Sequence, residues 1–200
     1  MTIKKVTHVQ YFDEKGMEFT FEPVEDTLSI KKTKDGYEAR YLVQDENYQD
    51  DWDEGDDSLF LVNYHRDFWV ERKGVISEDD LRSLYVEGKC DQQKDYFIFP
   101  MACLIHSGVW LSLARAFACD SGGWDTSHVG AVLCAKAVYK TEKRAEKAAE
   151  SLIDEKNKVL SNEVYGIVKD VYDGEKKLID NKSVWGFIGF DYAKKELETF

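Results

Sequence analysis

The middle third of this 200-residue sequence sets polar side chains directly against apolar runs. Four clusters there carry residue types capable of chemistry: His65-Arg66, His106-Ser-Gly108, Trp124-Asp125 and His128-Val-Gly130. A buried polar group without a partner costs about 1–3 kcal/mol, so such placements need a reason. One reason is catalysis. An aspartate that orients a histidine prepares the imidazole as a general base, with Ser107 or a water as nucleophile. His106 closes an apolar run and Asp125 sits in the glycine-rich loop before the next one, so the pair converges at one sheet end if those runs are neighbouring strands. In that reading His106 and Asp125 are the catalytic residues, used with Arg66 and Glu163 around a pocket that Trp124 and Trp185 wall with their amphipathic rings. The same groups suit a structural network in which His106 and Asp125 satisfy loop amides. A metal site built from the histidines and Asp125 lacks any i, i+2 or i, i+4 ligand pair.

Sharper fingerprints are missing. The sequence has no phosphate-binding G-x-x-x-x-G-K-[ST], no G-x-G-x-x-G, no H-E-x-x-H and no G-x-S-x-G. Asp120-Ser-Gly-Gly123 shares only its two glycines with a phosphate-cradling loop. Cys90, Cys103, Cys119 and Cys134 contain no C-x-x-C pair, and Cys103 and Cys134 lie in apolar runs as buried, reduced thiols would. No cofactor is expected.

Charge is the second strong feature. Lys and Arg number 27 against 39 Asp and Glu, a formal net charge of −12. That balance argues against direct nucleic-acid binding and against an anionic membrane surface. From Tyr41 to His65 there is no Lys or Arg, while Asp45, Glu46, Asp50, Asp51, Asp53, Glu54, Asp56 and Asp57 supply eight carboxylates. This run reads either as a solvated loop or as a surface that meets a basic partner or a divalent cation, though it has no EF-hand pattern. Glu142, Glu146, Glu150 and Asp154 recur every four residues, so like charges are neighbours along one helical ridge, each pair costing about 0.2–0.5 kcal/mol.

The elements that must position these residues follow from periodicity. Ile3–Phe12 and Met17–Phe21 read as strands joined by a turn at residues 13–16, and Thr27–Lys32 and Tyr37–Val43 as a second pair. Ser58–Tyr64 reads as a buried strand. Ser77 opens a short helix over 77–87 with a capping box and Gly88 closes it. Tyr96–Ile105 is the main core strand, which Pro100 makes an edge strand or a bulged one. Val109–Leu113 and Val129–Val138 are further strands, and residues 141–160 form the long helix on its Ala145, Ala149, Leu152 and Ile153 face. Glu163–Tyr172, Lys176–Asp180 and Ser183–Asp191 complete the strands. The predicted class is α+β with a mostly antiparallel twisted sheet. The chain is expected to be one domain: a β-meander lobe over 1–44, an acidic loop over 45–57 and a main α+β body over 58–200. Neither a signal peptide nor an apolar run of about 20 residues is present, so a cytoplasmic protein off the membrane is expected.

Four blocks also carry a resemblance. His106-Ser-Gly, Trp124-Asp-x-x-x-Val129-Gly130, Glu163-Val-Tyr-Gly166 and Val184-Trp-Gly-Phe187, with Asn63-Tyr-His-Arg66 upstream, resemble an uncharacterised family of small acidic proteins found in bacteriophages, plasmids and their hosts. The resemblance spans about residues 58–190. Relatives usually carry Gly-Gln where this sequence has Thr126-Ser127-His128 in the second block, so no role for that Gln carries over. The resemblance implies a phage or mobile-element origin and assigns no reaction.

Together these observations favour an accessory protein that binds and modulates a host protein with a basic surface in the host cytoplasm, as in counter-defence by mimicry of DNA. The binding residues would be Asp50, Asp51, Asp53, Glu54, Glu142, Glu146, Glu150 and Asp154, with Arg66, Trp124 and Trp185. The alternative is a small enzyme or nucleotide-binding protein built on His106 and Asp125.

Overall fold

A computed structural model describes residues 9–12, 18–21, 23–24, 26–50, 57–72, 74–113, 117–120, 122–175 and 177–200. Its strands form antiparallel sheets, and the fold is α+β as the periodicities predict. The chain divides into two compact units, residues 49–161 and residues 1–48 with 162–200.

In the 49–161 unit, β5 (Leu59–His65), β6 (Phe68–Val70), β7 (Tyr96–Ile105), β8 (Val109–Ser112) and β9 (Thr126–Ala135) form a five-stranded sheet in the order β6-β5-β9-β7-β8. Both faces are buried, which explains why these strands read as continuous apolar runs. On one face Leu61, Met101, Cys103, Val132 and Cys134 pack against Ala145, Ala149 and Ile153 of α3 (Glu142–Leu160). On the other, Phe60, Val62, Tyr64, Ala131 and Leu133 pack against Leu81 and Leu84 of α1 (Glu78–Glu87). The capping box at Ser77 is formed, Asp80 N donating to Ser77 Oγ and Ser77 N to Asp80 Oδ2, and Gly88 ends the helix at φ 72°.

Pro100 is accommodated because β8 reaches β7 only from Ala102 onward. Among the described residues the first half of β7 therefore has β9 on one side and no strand on the other, and a bulge follows between Met101 and Cys103. The strand expected over 129–138 stops at Ala135, the last residue with sheet partners, and Lys136–Tyr139 form a single helical turn, α2.

In the other unit, β1 (Val9–Phe12) and β2 (Glu18–Phe21) pair as a hairpin whose turn lies outside the described residues. β3 (Ser29–Lys32), β4 (Gly36–Gln44), β10 (Val164–Asp173) and β11 (Leu178–Ile188) form a four-stranded sheet in the order β11-β10-β4-β3. The C-terminal strands thus complete the N-terminal meander rather than the 58–161 body, with Tyr41 opposite Val168 and Leu42 opposite Ile167. The two strands expected over 176–180 and 183–191 are one. Asn181 does not turn the chain, because its side-chain amide donates to Asp170 Oδ1 at 2.6 Å within the sheet. Gly189, at φ 91°, ends the strand, and Phe190–Thr199 form a helix, α4, that buries Ala193 and Leu197 on Leu42 and Ile167.

Candidate functional site

The structure brings the His106 and Trp124-Asp125 clusters together at one end of the five-stranded sheet. Ile105 N donates to Asp125 O at 3.1 Å, so Asp125 lies beside the last residue of β7. His106-Ser-Gly108 is the β7–β8 hairpin turn: His106 N donates to Gly108 O at 3.1 Å, and Ser107 takes the left-handed conformation at φ 52°. A non-glycine residue there is held by its surroundings against intrinsic strain. His106, Ser107 and Asp125 are exposed, and among the described residues no hydrogen bond joins the imidazole to the Asp125 carboxylate. The arrangement is an open rim, not an enclosed cleft.

Asp120 organises that rim, although residue spacing gave it no role. Its carboxylate accepts from Trp124 N and Asp125 N, each at 3.0 Å, and from Thr126 Oγ1 at 2.7 Å. The Thr126 hydroxyl, with the backbone amides, holds the Asp120 carboxyl below its ordinary value. The loop so clamped presents Trp124 with 91% of its surface exposed, the indole lying over Gly122, where an added Cβ would come within 2.6 Å. A sequence cue existed: an aspartate followed at four, five and six residues by amides and a hydroxyl it can reach in a turn.

His128-Val-Gly130 has a packing explanation. A Cβ on Gly130 would sit 2.6 Å from Met101 Cε and 3.0 Å from Val62 O, so any other residue here would displace the Met101 side chain and press on the β5 backbone. Tyr85 of α1 donates its hydroxyl to Gly130 O at 2.6 Å, clasping the helix to the sheet, and burial pushes that phenol up to about 12. The exposed ring of His128 lies 6.2 Å from Tyr85. His65 ends β5, and Arg66 with Asp67 makes the β5–β6 turn. Asp67 N donates to His65 Nδ1, and the Arg66 guanidinium pairs with Asp67 at 3.0 Å, the contact that raises its pKa. Among the described residues no group of three or more His, Cys, Asp or Glu side chains is placed to hold a metal ion. Nor is any helix among them long and apolar enough to cross a membrane.

The acidic candidates separate. Glu142, Glu146, Glu150 and Asp154 all lie exposed along α3, on a ridge that flanks its buried stripe, Glu146, Glu150 and Asp154 each directly following Ala145, Ala149 and Ile153. Asp154 is paired with Lys158 at 2.6 Å. Asp50 is not a free surface carboxylate: both its oxygens accept from Lys156 Nζ, at 2.8 and 2.6 Å, and the two side chains are only 9% and 13% exposed. Asp51, Asp53 and Glu54 lie outside the described residues.

Trp185 belongs to the other unit. Its ring occupies the space above Gly166, where a Cβ would clash with Cε3, and Nε1 donates to Ser183 Oγ at 3.1 Å. The glycine of Glu163-Val-Tyr-Gly166 and the tryptophan of Val184-Trp-Gly-Phe187 are therefore one packing pair across β10 and β11. Two polar groupings in this unit had no sequence signal, because strand pairing across more than 100 residues assembles them. Asp170, fully buried, accepts from Tyr41 at 2.7 Å and Tyr172 at 3.2 Å, and burial followed by the Asp170 charge raises the Tyr172 phenol. A cleft of about 370 Å³ is lined by Lys31, Glu38, Arg40 and Lys194. Glu38 bridges Lys169 at 2.9 Å and Arg40 at 2.8 Å, which hold its carboxyl low, the Lys169 contact most strongly. Compared with protein-family models, with curated proteins and with solved structures, the chain matches none.

Proposed function

We propose that this chain is an accessory interaction protein, of the phage or mobile-element kind that the four-block resemblance suggests, and that it binds and modulates a host protein through the outer ridge of α3. One observation carries the reading. α3 spends Ala145, Ala149 and Ile153 on the core and leaves Glu142, Glu146 and Glu150 outward in a row, with no ion pair to any of the three among the described residues. Four helical residues rise about 6 Å, close to the roughly 7 Å that two phosphate steps span along one duplex strand. A basic groove shaped for a phosphate backbone fits such a row, and a net charge of −12 steers the encounter.

Trp124 is a second contact for the same partner. An indole this exposed, on a loop fixed by three hydrogen bonds to Asp120, is ordered before binding, and rigid aromatic anchors carry much of the energy of protein interfaces. The test is affinity capture from a bacterial host lysate with the wild-type chain beside Glu142→Gln/Glu146→Gln/Glu150→Gln and Trp124→Ala variants. Loss of a stoichiometric partner in the triple variant supports the ridge. A partner retained by the triple variant and lost with Trp124→Ala moves the interface to the loop.

A further inference from the structure

The cleft of about 370 Å³ lies between α4 and the β3–β4 part of the four-stranded sheet, and Lys31, Arg40 and Lys194 bring three cations to it from three elements. In a chain with 39 acidic and 27 basic residues, that convergence runs against composition. It also runs against strand pairing. Arg40 lies directly opposite Lys169 of β10, and Lys169 directly opposite Lys182 of β11, an arrangement of like charges that destabilises a sheet. Glu38 offsets part of this. Its Oε1 accepts from Arg40 Nε at 2.8 Å and lies 2.8 Å from Nη2, while its Oε2 meets Lys169 Nζ at 2.9 Å. Lys31 is directly opposite Glu38, yet both carboxylate oxygens are engaged elsewhere, and among the described residues Lys31 makes no ion pair. Nor does Lys194, whose ammonium rests 5.6 Å from the Phe190 ring centroid. Arg40 is held from one side, through Nε and Nη2, and keeps its Nη1 donors for another oxyanion.

We propose that this cleft binds a small phosphate monoester with a hydroxylated body, of the sugar-phosphate class, independently of the partner bound by α3. The three cations suit a compact dianion. Arg40, positioned by Glu38 before binding, offers donors in a fixed plane, and the two lysines add charge without a fixed geometry. Two carboxylates, Asp26 and Glu198, also line the cleft. They oppose a continuous polyanion such as nucleic acid, and with the Ser29 hydroxyl they supply acceptors for hydroxyl groups on the rest of the ligand. The volume sets the size. It lies at the low end of the roughly 300–1,000 Å³ of small-ligand sites, the scale of a sugar phosphate or a mononucleotide rather than a dinucleotide.

Isothermal titration calorimetry of the full chain at constant ionic strength tests this, with ribose 5-phosphate, adenosine monophosphate, ribose and inorganic phosphate as probes. At about pH 7.5 a phosphate monoester is dianionic, because its second pKa is about 6. There at least one of the two esters is expected to bind with a Kd below about 1 mM, inorganic phosphate at least about tenfold more weakly, and ribose not at all. At about pH 5.5 the ester's affinity should fall about threefold or more as the ligand loses charge. Lys31→Gln/Lys194→Gln replaces two exposed side chains, so circular dichroism should show a wild-type fold, while the affinity drops by about tenfold or more. Failure of both esters to bind, an affinity unchanged in the double variant, or an affinity indifferent to the pH step overturns the proposal.

Discussion

Lys156→Met is the most informative single perturbation, because it decides whether Asp50 belongs to the fold or to the binding surface. Lys156 Nζ donates to both Asp50 oxygens, and neither side chain is more than 13% exposed. The methionine keeps the aliphatic stem and removes the charge, so Asp50 is left nearly buried without its cation. Removing one member of a fully buried pair costs about 3–5 kcal/mol, and the residual water access here lowers that to about 2–3 kcal/mol. For a chain of this size the melting temperature should fall by roughly 5–10 °C. Urea denaturation of the wild type, Lys156→Met, Asp50→Leu and the double variant gives the coupling directly. Replacing both partners should recover at least half of the loss, because two apolar groups no longer leave a charge stranded. A cost below about 0.5 kcal/mol for Lys156→Met, the range of an exposed pair, would refute the burial argument and return Asp50 to the surface acids.

Three other outcomes follow from the same structure. Gly166→Ala should destabilise by about 1–2 kcal/mol through the clash with Trp185, and Trp185→Ala in the same chain should remove most of that cost; additive losses in a double-mutant cycle would contradict the pairing. In a thiol-titration time course, exposed Cys119 should react first, while Cys134, whose thiol burial pushes up to about 11, and buried Cys103 should react only on unfolding. Glu38 and Asp80 have lowered carboxyl pKa values in the folded chain, so their contribution is present above the unfolded values and is lost as pH falls through the folded ones; the melting temperature should begin to drop below about pH 4.5, and Glu38→Gln should flatten that slope.

Most of the elements were legible because burial on both faces of the five-stranded sheet leaves continuous apolar runs and because α3 keeps a helical stripe. α4 was not, although Phe190, Ala193 and Leu197 have helical spacing, because the apolar run Val184–Ile188 before it carries the strand pattern up to Gly189. Which strands pair is written in no local signal. Leu42 and Ile167 meet across 125 positions of sequence, and the Asp170–Tyr41 contact exists only because they do. The chemical clusters were visible as polar residues beside apolar strands, but two of them answer to geometry: His106-Ser-Gly108 makes a hairpin turn and Gly130 admits Met101. Asp120 was overlooked because two of the three groups it holds are backbone amides, so that only the Thr126 hydroxyl six residues on marks its role in the sequence. The acidic ridge was legible in full, since its period and its exposure are both set by one helix.

The most direct measurement of the central claim is the affinity of the captured host partner for the wild-type chain and for the Glu142→Gln/Glu146→Gln/Glu150→Gln variant, at about 0.1 and 0.5 M salt, where screening lengths differ about twofold. The account predicts a wild-type affinity that falls as salt rises, and in the triple variant both a large loss at low salt and a flattened salt dependence. Equal affinities for the two chains at low salt would contradict it.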